Sequence, residues 1–273
     1  MVKKILTYII VFLTILLVTA STMLIVFSTT LLNKNYILST LEKEDYYNKT
    51  YSSIIEKFKD NTIQSALEDS VLDGIITKEE LENDIKSFVE FIYTGKEYTI
   101  NKDLVKTRLE ENINKVIEEN NKRVDKSEQE AIDIYVKTIA DIYEDGTIFS
   151  KEYSSSLQQG FAKVQNIVNK VKIIVYIATA VLIIFVIIMN RKNSIKNLSI
   201  TFIASGIVLI IPKILETIAL ELQNVVILNP ILSKVVINTV EDVLIKLVIF
   251  GIVFIALGIA STIIGVKIEE NKK

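Results

Sequence analysis

Two stretches of this chain place carboxylates around a glycine at identical spacing. Asp69, Asp73, Gly74, Ile76 and Glu80 stand at positions 1, 5, 6, 8 and 12 of a twelve-residue window, and Asp141, Asp145, Gly146, Ile148 and Glu152 repeat the pattern. Acidic side chains gathered at a turn offer hard oxygen donors, which suit divalent cations of the alkaline-earth type. Other chemistry is narrowed by what the chain lacks. It has no cysteine and no histidine, which removes thiol nucleophiles, Ser-His and Cys-His pairs and the usual zinc donor sets. Gly95-Lys96 lacks the second glycine and the hydroxyl residue of a phosphate-binding loop, so nucleotide-driven chemistry is not expected.

Both windows resemble the EF-hand loop. The resemblance implies that the carboxylates bind calcium, that the glycine makes the sharp turn and that the final glutamate chelates with both oxygens. Asp69, Asp73, Glu80, Asp141, Asp145 and Glu152 are therefore the metal candidates, and calcium is the sole cofactor to consider. Each window departs at position 3, where Val71 and Tyr143 replace the usual Asp or Asn, so each lacks a ligand. The competing reading is two helix–glycine–helix junctions, with Gly74 and Gly146 at the turns and Thr77 and Ser150 capping the helices that follow. The junction reading is the one expected.

These windows sit in a strongly segregated chain. Half of the 273 residues are apolar while 23% are charged, and 27 of the 33 acidic and 19 of the 31 basic residues fall between Asn33 and Val171. That segment carries a net charge of −8 and no basic stripe, which argues against nucleic acid as a partner. The remainder is apolar with a basic fringe. Ile5 to Leu32 contains no charged residue and at about 1.5 Å per residue exceeds the roughly 30 Å of bilayer hydrocarbon. Lys3-Lys4 and an apolar run reaching Val18-Thr19-Ala20 would also suit a cleaved leader, but the run continues a dozen residues further, which favours a span.

Four spans are expected, at residues 1–32, 172–190, 198–222 and 243–266, with a helical domain at 33–171 and a helical hairpin tip near 223–242. The three-span region is 172–273. Lys3 and Lys4, then Arg191, Lys192 and Lys196, then Lys267, Lys272 and Lys273 all fall on one side if both termini are cytoplasmic, which puts residues 33–171 outside. Pro212 interrupts the third span, and the helix is expected to continue through it, bringing Lys213 into ion-pair reach of Glu216. Asn229-Pro230 suits the start of the next helix. Thr7, Thr14, Ser21 and Ser28 recur every seven residues in the first span, as do Gly251, Gly258 and Gly265 in the fourth, and both stripes read as packing seams that could face each other.

Inside the domain, Thr77 with Glu80 forms a capping box, Gly95 closes that helix, Asn101 caps the next, and Gly146 ends a helix begun near Ser127. No stretch sustains period-two alternation, so the fold class is all-α: four transmembrane helices with a helical-bundle extracytoplasmic domain between spans 1 and 2. This layout resembles a loose group of uncharacterised bacterial integral membrane proteins with one span, a helical outer domain and three further spans. The resemblance is carried by the turn Tyr93-Thr94-Gly95-Lys96 and the following Thr99-Ile100-Asn101. It implies a fold and a cell-membrane location, not an activity. The expected role is a structural or partner-binding envelope component and not an enzyme, with membrane lipid and a protein partner or a second copy as its company. An extracytoplasmic sensor and an accessory transporter subunit are the alternatives.

Overall fold

The computed structural model describes residues 2–65, 67–147, 151–189, 193–220 and 230–270, and among them every regular element is helical. In chain order these are α1 (Val2–Thr29), α2 (Lys34–Lys43), α3 (Tyr46–Gln64), a 3₁₀ turn (Asp69–Leu72), α4 (Lys78–Thr94), α5 (Lys102–Glu119), α6 (Lys126–Thr147), α7 (Lys151–Met189), α8 (Ser194–Leu215), a π-helical turn (Glu216–Leu220) and α9 (Pro230–Glu270). The chain divides into two compact units: a span unit, Met1–Ile37 with Val164–Lys273, and a central unit, Leu38–Lys163.

Four helices are long and apolar enough to cross a membrane: Lys4–Thr29, Tyr153–Ile188, Ser194–Ile218 and Pro230–Ile268. The second begins ahead of the bound expected at residue 172, along a helix whose backward extension the sequence itself suggests. It belongs to a helix that starts at Lys151, so its apolar stretch begins inside the segment 33–171 that was assigned wholly to the outer domain. The cause is the stripe of Phe161, Val164, Val168 and Val171, which continues the apolar spacing of Ile173 backwards without a helix breaker. α8 runs through Pro212, and the π-helical turn follows one turn later. Asn229, residues 223–228 of the hairpin tip and the last two residues expected in span three lie outside the described residues.

In the span unit α8 and α9 pack antiparallel through their glycines. A Cβ on Gly206 would stand 2.5 Å from the Gly251 carbonyl oxygen, and one on Gly251 would stand 2.7 Å from that of Gly206, so the two backbones touch. Gly258 and Gly265 meet Ile203 and Ile195 of the same neighbour. The Ser199 hydroxyl donates to the Gly258 carbonyl at 2.7 Å. The span-four glycine stripe is thus a seam, but it faces span three and not span one. The α1 stripe turns elsewhere: Ser21 bonds Thr179 of α7 at 2.7 Å, and Ser205 of α8 reaches the Ile15 carbonyl at 3.3 Å. Val26, Leu209, Val243 and Leu247 form the apolar layer where α1, α8 and α9 meet.

In the central unit the apolar residues fall on helical stripes. Ile54 and Phe58 of α3, Leu81 and Ile85 of α4, Val105 and Leu109 of α5, and Ile139 and Tyr143 of α6 close one core. The local signals work as the sequence suggests at the ends of α4. Thr77 and Glu80 form a reciprocal capping box, and Gly95 adopts φ +72°, a left-handed residue that ends the helix. Asp125 caps α6, accepting from the backbone N–H of Ser127 and Glu128.

Candidate functional site

The first acidic window is a junction tied into the central core. Gly74 is left-handed, as a turn requires, but Val71 beside it is fully buried, with Ile75 and Ile76. The residue that replaces the third ligand is therefore a core residue. Glu80 is consumed as well: it accepts two bonds from the Arg108 guanidinium, both at 2.9 Å, and one from the Thr77 backbone N–H at 2.8 Å. The Arg108 bonds hold its carboxyl below the usual carboxylate range. Asn112 donates to the carbonyls of Val71 and Asp73, tying the turn to α5.

The second window does not form a loop over its described part. α6 runs to Thr147, so Asp141, Asp145 and Gly146 are all helical, and Gly146 has no positive φ. The glycine serves close approach instead: a Cβ there would stand 2.6 Å from Ile54. Tyr143 at position 3 is fully buried, and Asp141 is held by Lys102 at 2.6 Å. Ile148 and Ser150 lie outside the described residues, as does the side chain of Glu152. Among the described residues no three acidic side chains are grouped as metal donors.

Two polar clusters go beyond what the sequence announced, one wholly and one in part. In the central unit Asp84 is buried and gathers three donors. Its oxygens accept from the Tyr143 hydroxyl at 2.6 Å, the Asn101 backbone N–H at 2.7 Å and the Asn101 side-chain amide at 2.8 Å. The Asn101 side chain, expected to cap α5, is spent on this bond. Burial pushes the Asp84 carboxyl above its ordinary value despite the three bonds, and pushes the Tyr143 phenol up as well. Nearby, burial would lower the Lys102 ammonium, but its bonds to Asp141 and Glu144 outweigh that and raise it. Asp84 thus joins α4, the start of α5 and α6.

In the span unit a second cluster lies where α8 and α9 leave their apolar stretches. Lys213 pairs with Glu216 at 2.7 Å, as its i+3 spacing suggests, and also with Glu241 of α9 at 3.3 Å. Asp242, the next residue, accepts from the Tyr36 hydroxyl at 2.8 Å, and the Lys246 ammonium stands 4.2 Å from the centre of the Tyr36 ring. Lys213 thus joins two carboxylates, and the Tyr36 ring joins Asp242 to Lys246. The Lys213–Glu216 spacing was readable; Glu241, Asp242 and Tyr36 are remote in sequence and gave no local signal. No protein-family model, curated protein or solved structure matches the chain.

Proposed function

We propose that the chain is a multi-pass cell-membrane protein with a structural or partner-binding role in the envelope, holding its central helical unit, inserted between spans one and two, on the outer side and both termini in the cytoplasm. The observation that carries this reading is the arrangement of charge along α8 and α9. Lys196 and Lys267 mark one end of the antiparallel pair. The Lys213–Glu216–Glu241 cluster marks the other, about 26 Å away at 1.5 Å per residue from Lys196 to Lys213. That spacing suits the hydrocarbon of a bilayer. Lys196 and Lys267 stand at the first end, where the positive-inside bias puts the cytoplasm, and the charge-paired cluster belongs at the outer interface.

What supports binding or scaffolding over catalysis is how the charges are used. Arg108 is taken by Glu80, Lys102 by Asp141 and Glu144, and Lys213 by Glu216 and Glu241. Groups committed in this way brace helices against one another. The native chain has no thiol background, so single cysteines test the sidedness cleanly. In intact cells an impermeant maleimide is expected to label a cysteine placed at Ser127 and to spare one placed at Ser194. The opposite pattern overturns the orientation.

A further inference from the structure

We infer that α7 is the docking face for a second copy of this chain, packed parallel to itself through one heptad seam. The inference deepens the partner-binding reading and rests on it. Along α7, apolar residues recur at alternating steps of four and three. The row begins with Tyr153 and Leu157, passes Gly160, continues through Val164, Ile167, Val171 and Ile174, and ends with Ala178, Val181, Phe185 and Ile188. From Tyr153 to Val171 the row stands among mostly polar residues and holds a repeat of seven over about two and a half heptads, the pattern by which like helices supercoil, and the apolar run from Ile173 onward continues it.

The protein itself leaves this row uncovered. Ile167 is 61% exposed, Ile174 68% and Val181 56%, and only 6% of the apolar window of this helix is buried within the chain, against 44% for α1. The contacts that α7 does make use a different face, one position on: Phe161 lies against Tyr93, and Thr179 against Ser21.

Lipid covers the lower part of such a row but not the upper part. Val164, Ile167 and Val171 stand among Lys163, Asn166, Asn169, Lys170 and Lys172, a composition that belongs in water, and yet they are 51%, 61% and 41% exposed. A helix that runs beside α7 from water into lipid with the same period covers both parts of the row. A parallel second α7 does so by symmetry. The charges permit it: Lys163 and Lys170 flank the seam on one side, and the positions facing them in a parallel pair, Val168 and Val175, are uncharged. At 1.5 Å per residue the row is about 53 Å long, and a strip about 10 Å wide buries roughly 530 Å² per copy, near the 1,000 Å² total that a specific interface needs.

Single cysteines in the full-length chain in native membranes test this, with a differently tagged copy co-expressed. Under mild oxidation, Ile167→Cys and Val171→Cys should form a disulfide dimer of twice the chain mass carrying both tags, several-fold more than Asn166→Cys or Asn169→Cys, which lie off the seam. Equal cross-linking at all four positions, none at the seam, or a cross-linked product with a single tag overturns the second copy as occupant. Carbonate washing of the same membranes separates the two failures. A chain that stays in the membrane without seam cross-links refutes only this inference, whereas one released by carbonate refutes the membrane reading as well.

Discussion

In the central unit most side chains sealed from solvent are apolar, such as Phe58, Leu109 and Ile139, with Tyr143 and Thr62 beside them, whereas in the span unit Thr14, Thr30, Thr201 and Ser205 are sealed as completely as Leu209. The outer faces are reversed too. Ile174, Ile249, Ile252 and Ile263 of the span unit are more than half exposed, while the central unit turns its lysines and glutamates outward. The difference reflects the solvent each unit faces. In water, hiding apolar area drives the helices together. In lipid that drive is gone, and helices associate where small residues let backbones touch and hydroxyls bond across, as Gly206 meets Gly251 and Ser199 meets Thr262 at 2.6 Å.

The comparison breaks most visibly at the glycine contact. Gly251→Leu forces a side chain into the Gly206 carbonyl and Ile210, so the melting of the detergent-solubilised protein should fall by the equivalent of about 3 kcal/mol or more. Val253→Leu, on the exposed face of the same helix, should shift it by no more than about 0.5 kcal/mol. Equal shifts would mean that the seam does not hold α8 to α9.

A smaller effect of a different kind is expected in the central unit. Asp84→Asn leaves at least one of three converging donors without an acceptor and should cost about 1 to 3 kcal/mol. Because burial raises the Asp84 carboxyl, its stabilising contribution is complete below its unfolded value of about 3.9 and is lost as pH rises through the raised folded value. The advantage of the native chain over Asp84→Asn should therefore shrink as pH rises. Glu80→Gln should behave oppositely, since Arg108 lowers the Glu80 carboxyl: the native advantage is present above about pH 4.3 and lost as pH falls. Denaturation midpoints of the full chain between pH 3 and 7 check both signs, and two parallel profiles would refute them.

Much of this architecture was legible because it rests on local rules. The capping box of Thr77 and Glu80, the left-handed Gly95 and the long uncharged runs are written within a few residues of where they act. The candidate site was less so. Gly74 and Gly146 look alike in sequence, yet one supplies a positive φ and the other makes room for Ile54, and that distinction exists only once α3 lies on α6. Val71 and Tyr143 stand where the motif has a ligand, and the sequence could not show that both side chains pack into the core. The heptad of glycines in α9 announced a seam but could not name its partner, because a small residue fits any close neighbour. Nothing near Asp84 in the sequence marks it, because Asn101 and Tyr143 reach it only once α4, α5 and α6 are packed.

The span unit's inverted surface gives the most direct test of a membrane protein. Ile249, Ile252, Leu257, Ile259 and Ile263 of α9 face outward from the protein, about half exposed, as lipid-facing residues of a bilayer-spanning helix should be. With single cysteines at these positions and at Lys267, a water-soluble maleimide applied to opened membranes should label Lys267→Cys and spare the other five. Ready labelling at Ile252, Leu257 or Ile259 would contradict a bilayer-spanning α9.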